Sequence, residues 1–299
     1  MLAFVNGKLI PEERATVSIR DHGFLYGDGV YETLRVYSGR AFLVREHLKR
    51  LAHSMRGIGL KPPMSLEKIA QAIDRVVRAN RAEEAVVRLT LSRGPGPYAF
   101  DPFPCGPPNL VISVRPFEPY PISFYQRGIV AAVVSVRRNS PRSLPPHVKS
   151  TSCLNGILAK VESKRLGAQE GIMLTLEDNL AEGTVSNVFV VKKGAIMTPA
   201  LEGHLLAGVT REWVCRLARR AGYRVLERKI PLGLLASADE VFLTNTTMEI
   251  MPVRRLVVAA SRGARRRVEV GTGMGPVTED LFWRFRLSAE AQVGKEQLF

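Results

Sequence analysis

Lys149 stands directly before a run of small and hydroxyl-bearing residues that leads into a predicted helix. Residues 145–167 read "PPHVKSTSCLNGILAKVESKRLG", so the lysine is followed at once by Ser150, Thr151 and Ser152. A lysine amine held in the right surroundings is a nucleophile and a general base. Most lysines are solvated surface charges. The other motifs in the chain therefore decide whether Lys149 has a chemical role.

A carboxylate follows in the stretch "DNLAEGTVSNVFVV". Glu182 precedes a Gly-Thr turn and a strand with a buried composition, so this segment would bring a carboxylate to the edge of an apolar core. The alternative is that Glu182 is a turn carboxylate that accepts hydrogen bonds from nearby backbone donors.

Two further stretches have the residues of an anion site. In "LAGVTREWV", Gly208, Val209 and Thr210 open a predicted helix, where unpaired N–H groups and the helix dipole favour a phosphate. In "TNTTMEIMPV", Thr246 and Thr247 follow a predicted strand directly, in a turn that could bind the same phosphate. Each pattern is common alone, and both could be ordinary capping.

A lysine, a carboxylate and two phosphate cradles are together the parts needed to hold pyridoxal 5′-phosphate. The lysine amine can form a Schiff base with the aldehyde of this cofactor, and the carboxylate can keep its pyridine nitrogen protonated. The amine released during turnover can then move a proton between the substrate Cα and the cofactor. Each of these motifs alone is a weak indication of the cofactor, but their occurrence together is informative.

The chain resembles the class IV, fold type IV pyridoxal-phosphate enzymes, which include branched-chain aminotransferases, D-amino-acid transaminases and aminodeoxychorismate lyases. The resemblance runs in fixed order over nearly the whole chain, in "FVNGKLIP", "SIRDHGFLYGDGVYETLRVYSGRAFLVREHLKRL", "VKSTSCLNGILAK", "LAEGTVSNVFVVKKGAIMTP", "LAGVTRE", "ADEVFLTNTTMEIMPV" and "GPVT". It implies a mixed α/β (α+β) fold of type IV with two lobes and the cofactor between them. It also implies a homodimer.

The resemblance also implies roles for individual residues. Lys149 would be the Schiff-base lysine at the end of a strand, and Glu182 the partner of the pyridine nitrogen. Arg50, in "EHLKRL", would clamp the phosphate, which suits a planar guanidinium with several donors. Val209, Thr210 and Thr246 would supply the remaining phosphate contacts.

The subtype patterns of the family are incomplete in this chain. D-amino-acid transaminases and the lyases carry an arginine in the loop after "SRG", and D-amino-acid transaminases add a histidine two residues later. This chain has Tyr98 and Phe100 there. Of the branched-chain Tyr-x-Arg-Pro pattern only the arginine is present. We expect an aliphatic L-amino acid as donor and 2-oxoglutarate as acceptor, with aminodeoxychorismate lysis and then D-amino-acid transamination as alternatives. The candidate substrate contacts are Tyr31, Arg35, Arg88 and Tyr98, with Phe24 and Phe100 near an aliphatic side chain.

The elements that would position these residues alternate between strands and helices. The proline-rich stretch "RPFEPYPIS" predicts a linker without regular structure, and so a small N-terminal α/β domain over residues 1–120 and a larger cofactor-binding domain over 121–299. The long Gly/Pro-rich loop at 93–108 is typical of loops that cover a binding site.

The composition limits the remaining classes of function. The apolar runs are too short to span a bilayer, and the N-terminus lacks the pattern of a secretory signal, so we expect a cytoplasmic protein. Scattered cysteines and histidines predict no metal site. The net charge of +15 permits a basic nucleic-acid-binding protein as an alternative outside the family. The arginines are nevertheless spread along amphipathic helices, and only "SRGARRRVE" is a cluster, which we interpret as a hairpin tip.

Overall fold

The computed structural model describes residues 1–259, 265–271 and 273–295. The chain forms two compact units. The first contains Met1–Glu118, Val148–Ser152 and the residues from Ala289 onward, and the second contains Pro119–His147 and Cys153–Ser288. The expected division at residue 120 is close to the first change of unit, but no sequence pattern indicates that the five residues around Lys149 pack with the first unit.

The first unit is built on a six-stranded antiparallel sheet with two helices on one face. The strand order is β2-β1-β6-β5-β3-β4. Ile69, Ile73 and Val76 of the second large helix are buried at helical spacing, which fixes the face that packs on the sheet. The elements of this unit are β1 (Leu2–Val5), β2 (Lys8–Pro11), α1 (His22–Tyr26), β3 (Gly29–Tyr37), β4 (Arg40–Ala41), α2 (Val44–Gly57), α3 (Leu66–Ala79), β5 (Ala85–Ser92) and β6 (Asn109–Pro116).

The second unit contains a mixed sheet with the order β12-β11-β10-β13-β14-β7-β8-β9, and β15 pairs with β14. Its core is formed by apolar side chains of these strands, such as Val188, Leu243 and Leu256. The elements are α4 (Ile122–Arg127), β7 (Ile129–Val133), α5 (Leu154–Arg165), β8 (Glu170–Leu174), β9 (Leu180–Gly183), β10 (Asn187–Lys192), β11 (Ala195–Thr198), α6 (Val209–Arg220), β12 (Val225–Glu227), β13 (Glu240–Asn245), β14 (Glu249–Ala259), β15 (Arg265–Glu269) and α7 (Pro276–Lys295).

Local sequence signals account for several of these elements. The β3–β4 hairpin turns at Ser38 and Gly39, which both have a positive φ, as a tight two-residue turn requires. Helix α3 begins after Ser65, whose hydroxyl accepts the backbone N–H of Lys68 at 3.4 Å. Helix α7 begins at Pro276, where a missing N–H costs nothing.

The predicted linker is partly wrong. Strand β6 continues through Arg115 and Pro116. Pro116 is the last residue of the strand and is paired with Ala85. A proline is tolerated there because no further ladder bond depends on its N–H. Helix α4 then begins only six residues later, so irregular structure is confined to 117–121.

Two other expectations concern surface features. Strands β14 and β15 are antiparallel neighbours, as a hairpin in the basic segment requires, but its tip at 260–264 lies outside the described residues. Among the helices that the structure describes, none has the length and apolarity needed to cross a membrane. The cytoplasmic location stays a prediction.

Candidate active site

Lys149 is held by its backbone in the first unit. Its N–H donates to the Ser54 hydroxyl at 3.0 Å, and its carbonyl accepts the N–H of Tyr31 at 3.0 Å. The next residue, Ser150, forms an isolated bridge with Val30. The expectation that Lys149 ends a regular strand is therefore wrong. It lies in an irregular segment that is fixed against β3 by single hydrogen bonds.

Glycine is required where this segment meets the "YGDGVYE" turn. A Cβ at Gly29 would lie 2.7 Å from the Leu91 carbonyl oxygen and 3.1 Å from the Thr151 hydroxyl. Gly27 ends α1 with a φ of 71°, which favours glycine. These two positions allow the backbone beside Lys149 to pack directly against the start of β3.

The Lys149 amine and an arginine side chain both lie over the same aromatic ring. Its Nζ lies 4.3 Å from the centre of the Tyr31 ring, and the guanidinium carbon of Arg88 lies 3.4 Å from the same centre. Both distances are within the range of cation–π attraction. Tyr31, Arg88 and Lys149, which were all predicted site residues, are thus brought together on one unit. Two cations beside one ring make a local site that favours an anion.

Arg50 is fixed by a buried carboxylate. Its Nε donates to Glu32 Oε1 at 2.8 Å and its Nη2 to Glu32 Oε2 at 2.7 Å. The Nδ1 of His47 lies 2.7 Å from Oε2 of the same residue. Burial alone would raise the pKa of Glu32, but the charge and hydrogen bonds of Arg50 and the hydrogen bond of His47 outweigh it, so this pKa lies well below its usual range. The guanidinium is therefore held in one orientation.

The other two predicted substrate contacts have different surroundings. Arg35 is 4% exposed, and its guanidinium bonds to Glu84 and to the carbonyls of Val36 and Ala85. Its Nη1 and Nη2 groups are thus engaged within the first unit, while its buried Nε has no hydrogen-bond partner among the described residues. Arg35 therefore leaves the set proposed below. Tyr98 is 69% exposed in the loop at 93–108, with the Arg20 guanidinium 6.0 Å from its ring centre.

Glu182 lies near the end of β9 in the second unit and is 6% exposed. Its Oε1 accepts the Nε–H of Arg138 at 2.6 Å, and its Oε2 accepts the backbone N–H of Leu206 at 3.1 Å. If Glu182 were only a turn carboxylate held by backbone donors, this would account for the contact with Leu206 alone. The other is an ion pair with a largely buried arginine.

The N-terminus of α6 is shaped to receive an anion. Its N-cap is Gly208, and no side chain of the described residues caps the first turn, at Val209 and Thr210. A Cβ at Gly208 would lie 1.9 Å from Asn187 Oδ1, so only glycine lets the strand and the helix start approach this closely. Backbone donors, the helix dipole and the absence of a side-chain cap suit a phosphate.

Thr246 lies in a turn organised by the residue before it. Asn245 Oδ1 accepts the backbone N–H groups of Thr247 and Met248 at 2.8 and 2.7 Å. The Thr247 hydroxyl lies 3.2 Å from the same oxygen. The half-buried Thr246 hydroxyl has no partner within the part of the chain that the structure describes. In the same described residues, no cluster of acidic, cysteine and histidine side chains could hold a metal ion.

The geometry can be set beside known proteins. The family described as "Amino-transferase class IV" matches residues 29–256. The chain belongs to this family. The family-level prediction from the sequence is thereby confirmed, together with the enzyme class.

Individual members of this family are similar to this chain over most of the length of both proteins. A provisionally named branched-chain-amino-acid aminotransferase of Methanocaldococcus jannaschii is 38% identical over 253 residues, which cover 85% of this chain and 87% of the relative. The aminodeoxychorismate lyase of Bacillus subtilis is 34% identical over 257 residues, covering 85% and 86%. The structure of the T.th. branched-chain amino acid aminotransferase complexed with N-(5′-phosphopyridoxyl)-L-glutamate has a TM-score of 0.87 at 28% identity, covering 96% and 93%. The predicted type IV fold is confirmed.

This class IV aminotransferase also contains site residues that the sequence reasoning missed. Glu32 orients Arg50, Arg138 pairs with Glu182, and the Asn187 amide donates to the Leu206 carbonyl at 3.1 Å. A signal existed for Glu32, because the period of two places it on the same face of β3 as Val30 and Leu34, where a carboxylate needs a partner. Arg138 and Asn187 had no comparable signal.

Proposed function

We propose that this class IV aminotransferase moves the amino group of an aliphatic, branched-chain L-amino acid to a 2-oxo acid such as 2-oxoglutarate. Class IV aminotransferase activity follows from the family. The observation that carries the finer assignment is the group in the first unit, where the Lys149 amine and the Arg88 guanidinium lie over the same Tyr31 ring. This group supplies a nucleophilic amine and a cation for a carboxylate side by side.

Pyridoxal 5′-phosphate is the cofactor of this family, so the cofactor prediction is confirmed. When bound, it draws electrons from the substrate Cα and makes that carbon acidic. The donors described above fit its phosphate, since an immobilised guanidinium and an uncapped helix N-terminus both favour an anion. The residues proposed to hold it are Lys149 at its aldehyde, Glu182 at its ring nitrogen, and Arg50, Val209, Thr210 and Thr246 at its phosphate.

Lys149 is proposed as the catalytic residue. Its backbone is fixed by Ser54 and Tyr31, while its side chain reaches over the Tyr31 ring. An amine on a fixed backbone can take the proton from the substrate Cα and deliver it to the former aldehyde carbon of the cofactor, two bonds away across the nitrogen, with little reorganisation. Tyr31 keeps the amine in place during both transfers.

Arg88 and Tyr31 are proposed to bind the substrate carboxylates. Arg88 is exposed, and its guanidinium stacks on Tyr31. Its Nε donates to the Thr90 hydroxyl at 3.4 Å, and the two Nη groups are proposed to receive a planar carboxylate. A dicarboxylic acceptor needs such a cation, and the similar T.th. enzyme is complexed with a phosphopyridoxyl derivative of L-glutamate. Tyr98 stays a weaker candidate in the loop at 93–108.

Aminodeoxychorismate lysis is the second candidate function. It is supported by the similarity to the Bacillus subtilis lyase, which covers as much of this chain as the Methanocaldococcus jannaschii relative does. The lyase would need the same Lys149 amine for the first proton transfer. The two activities therefore differ in the substrate groups that are held, and a spectrum with defined substrates can separate them.

The active protein is proposed to be a homodimer. Only Ala159 and Ser163 of helix α5 are buried, while Leu154, Ile157, Leu158 and Val161 are exposed. These four lie at the i, i+3, i+4 and i+7 positions and form one uncharged stripe. A second copy related by a two-fold axis can bring the same stripe against it, because such a contact is self-complementary.

The test of the function is the absorption spectrum of the purified protein with pyridoxal 5′-phosphate, before and after adding L-leucine, D-alanine or aminodeoxychorismate. We expect a band of lysine-bound cofactor that L-leucine converts to the pyridoxamine form. Lys149→Ala should abolish the band and nearly all turnover, whereas the exposed Lys164→Ala should change neither. Conversion by D-alanine alone, or release of pyruvate from aminodeoxychorismate alone, would replace the branched-chain assignment. A wild-type protein without any band would contradict the role of Lys149.

A further inference from the structure

The geometry points to Arg138 as the positioning residue that keeps Glu182 charged and correctly oriented for the cofactor's ring nitrogen. The inference rests on the proposed function, because it assigns a task to a residue that acts through Glu182. Arg138 lies in the irregular segment after β7 and would touch neither the substrate nor the cofactor. It differs in this respect from Lys149, Arg50 and the residues proposed at the phosphate, which would contact the cofactor directly.

Arg138 is itself anchored on both sides of the segment that carries Lys149. Its Nη1 donates to Asn155 Oδ1 at 3.0 Å in the first turn of α5, and its Nη2 donates to the Pro146 carbonyl at 3.4 Å. Pro146 precedes Lys149 by three residues and Asn155 follows it by six. The guanidinium is thus held by the two ends of this segment, and its Nε is aimed at Glu182.

The hydrogen bonds of Glu182 hold its carboxylate in one orientation. Each carboxylate oxygen accepts a protein donor, from Arg138 Nε at 2.6 Å and from the Leu206 N–H at 3.1 Å. An ionised carboxylate has about two lone pairs on each oxygen. The pair is largely shielded from water, with side-chain exposures of 17% and 8%, so the arginine cation favours the carboxylate anion strongly. The anion is the form that accepts an N–H from a protonated ring nitrogen.

If Arg138 had a purely structural role, its removal would weaken the binding of cofactor analogues in a different pattern. If Arg138 merely neutralised a buried carboxylate, its removal would weaken folding and would affect all cofactor analogues alike. If it acts through Glu182, the loss depends on a nitrogen atom in the ring. The discriminating probe is therefore the 1-deaza analogue of pyridoxal 5′-phosphate, in which a C–H group replaces the ring nitrogen and the aldehyde and phosphate are kept.

We would measure the dissociation constants of both compounds by the absorbance of the lysine-bound form, in wild type and in Arg138→Gln. For pyridoxal 5′-phosphate the constant should rise about tenfold or more, the size expected when a charged hydrogen bond is lost. For the 1-deaza analogue it should change less than about twofold. Arg138→Lys, which keeps the charge but not the three-way geometry, should show a smaller loss that is again confined to the nitrogen-containing compound.

Arg137→Gln is the matched control, since the neighbouring guanidinium pairs with the exposed carboxylate of Asp178. It should leave both dissociation constants unchanged. Equal losses for the two compounds in Arg138→Gln, or no loss for either, would overturn the inference while leaving the proposed function intact. Should Arg138→Gln fail to fold, as judged by its thermal unfolding, Arg138→Lys decides by the same ratio. A wild-type protein that binds neither compound would instead overturn the proposed function.

Discussion

Single residues around Arg50 show how burial sets charge in this protein. Glu32 and His47 are both almost inaccessible to water, and their side chains are joined by a hydrogen bond. Burial lowers the pKa of His47, Arg50 and Lys149 lower it further, and the hydrogen bond and charge of Glu32 only partly oppose these effects. His47 is therefore neutral beside an ionised Glu32. The net charge of the three groups Glu32, His47 and Arg50 is then zero before any phosphate binds.

This neutral histidine predicts a pH dependence of stability. The unfolded chain takes up a proton at His47 as the pH falls through its ordinary pKa of 6.5, whereas the folded chain does so only at lower pH. The unfolded state binds more protons in that window, so the contribution of His47 is fully present above pH 6.5 and is lost as the pH falls from there toward the folded pKa. We expect the free energy of unfolding of the cofactor-free protein to fall by up to about 1.4 kcal/mol per pH unit in this window on account of His47.

Urea unfolding at a series of pH values from about 7.5 to 5 measures this slope. His47→Asn, whose amide can still donate to Glu32, should flatten it. His53→Asn on the exposed side of the same helix should not. The Glu32 contribution is lost only at more acid pH, because its pKa is lowered from that of an ordinary carboxyl. A slope that is unchanged in His47→Asn would show that His47 titrates alike in the folded and unfolded states.

At the scale of elements, the start of α6 depends on one glycine. In Gly208→Ala, the new Cβ would lie 1.9 Å from Asn187 Oδ1 and 3.0 Å from Arg211 Cβ. Asn187 would have to move, and its hydrogen bond to the Leu206 carbonyl would be lost. We expect a loss of about 1–3 kcal/mol in the free energy of unfolding and weaker binding of pyridoxal 5′-phosphate.

Urea unfolding and a cofactor titration measure the two effects of Gly208→Ala. Gly233→Ala is the control, because a Cβ at Gly233 meets no atom within 4 Å and its backbone has no positive φ. Equal stability and cofactor affinity in both variants would mean that Asn187 can adjust at no cost, and that the close approach has no role in shaping the phosphate site.

The elements of this fold were predictable wherever the signal was local. The turn at Ser38 and Gly39, the cap at Ser65 and the proline at the start of α7 each specify their element within a few residues. Strand order was not predictable, since β1 pairs with β6 across more than a hundred residues. The same holds for Lys149, because only five residues around it pack with the first unit while the chain on either side belongs to the second.

Site residues divide in the same way. Lys149, Tyr31 and Arg88 were predicted from motifs, and the structure places their side chains together. Arg35 lies on the same strand as Tyr31, and only the fold shows that it reaches back to Glu84. Arg138 has no motif, because its role depends on three partners that lie 8, 17 and 44 residues further along the chain. The roles of these residues in the reaction stay predictions.

At the scale of the whole molecule, the stripe on α5 is the surface on which the proposed homodimer rests. Its four apolar side chains are 42–62% exposed, and no charged side chain interrupts them. Lys160, which lies between two of them in the sequence, turns away and donates to Glu170 and to the Gln169 carbonyl. Leaving such a stripe in water would be costly, while burying it in a two-fold contact removes apolar area from both copies.

We therefore expect the wild-type protein to sediment as a dimer at micromolar concentration, and Leu158→Glu to sediment as a monomer. A glutamate at the centre of the stripe would have to be buried without a partner, once from each copy, and the two negative charges would face each other across the axis. Ile122→Glu is the matched control, because Ile122 is also exposed and apolar but belongs to α4, apart from the stripe. If both variants stay dimeric, the contact between copies uses another surface. If Leu158→Glu alone dissociates, the cofactor spectrum of the resulting monomer will show whether binding at Lys149 needs the second copy.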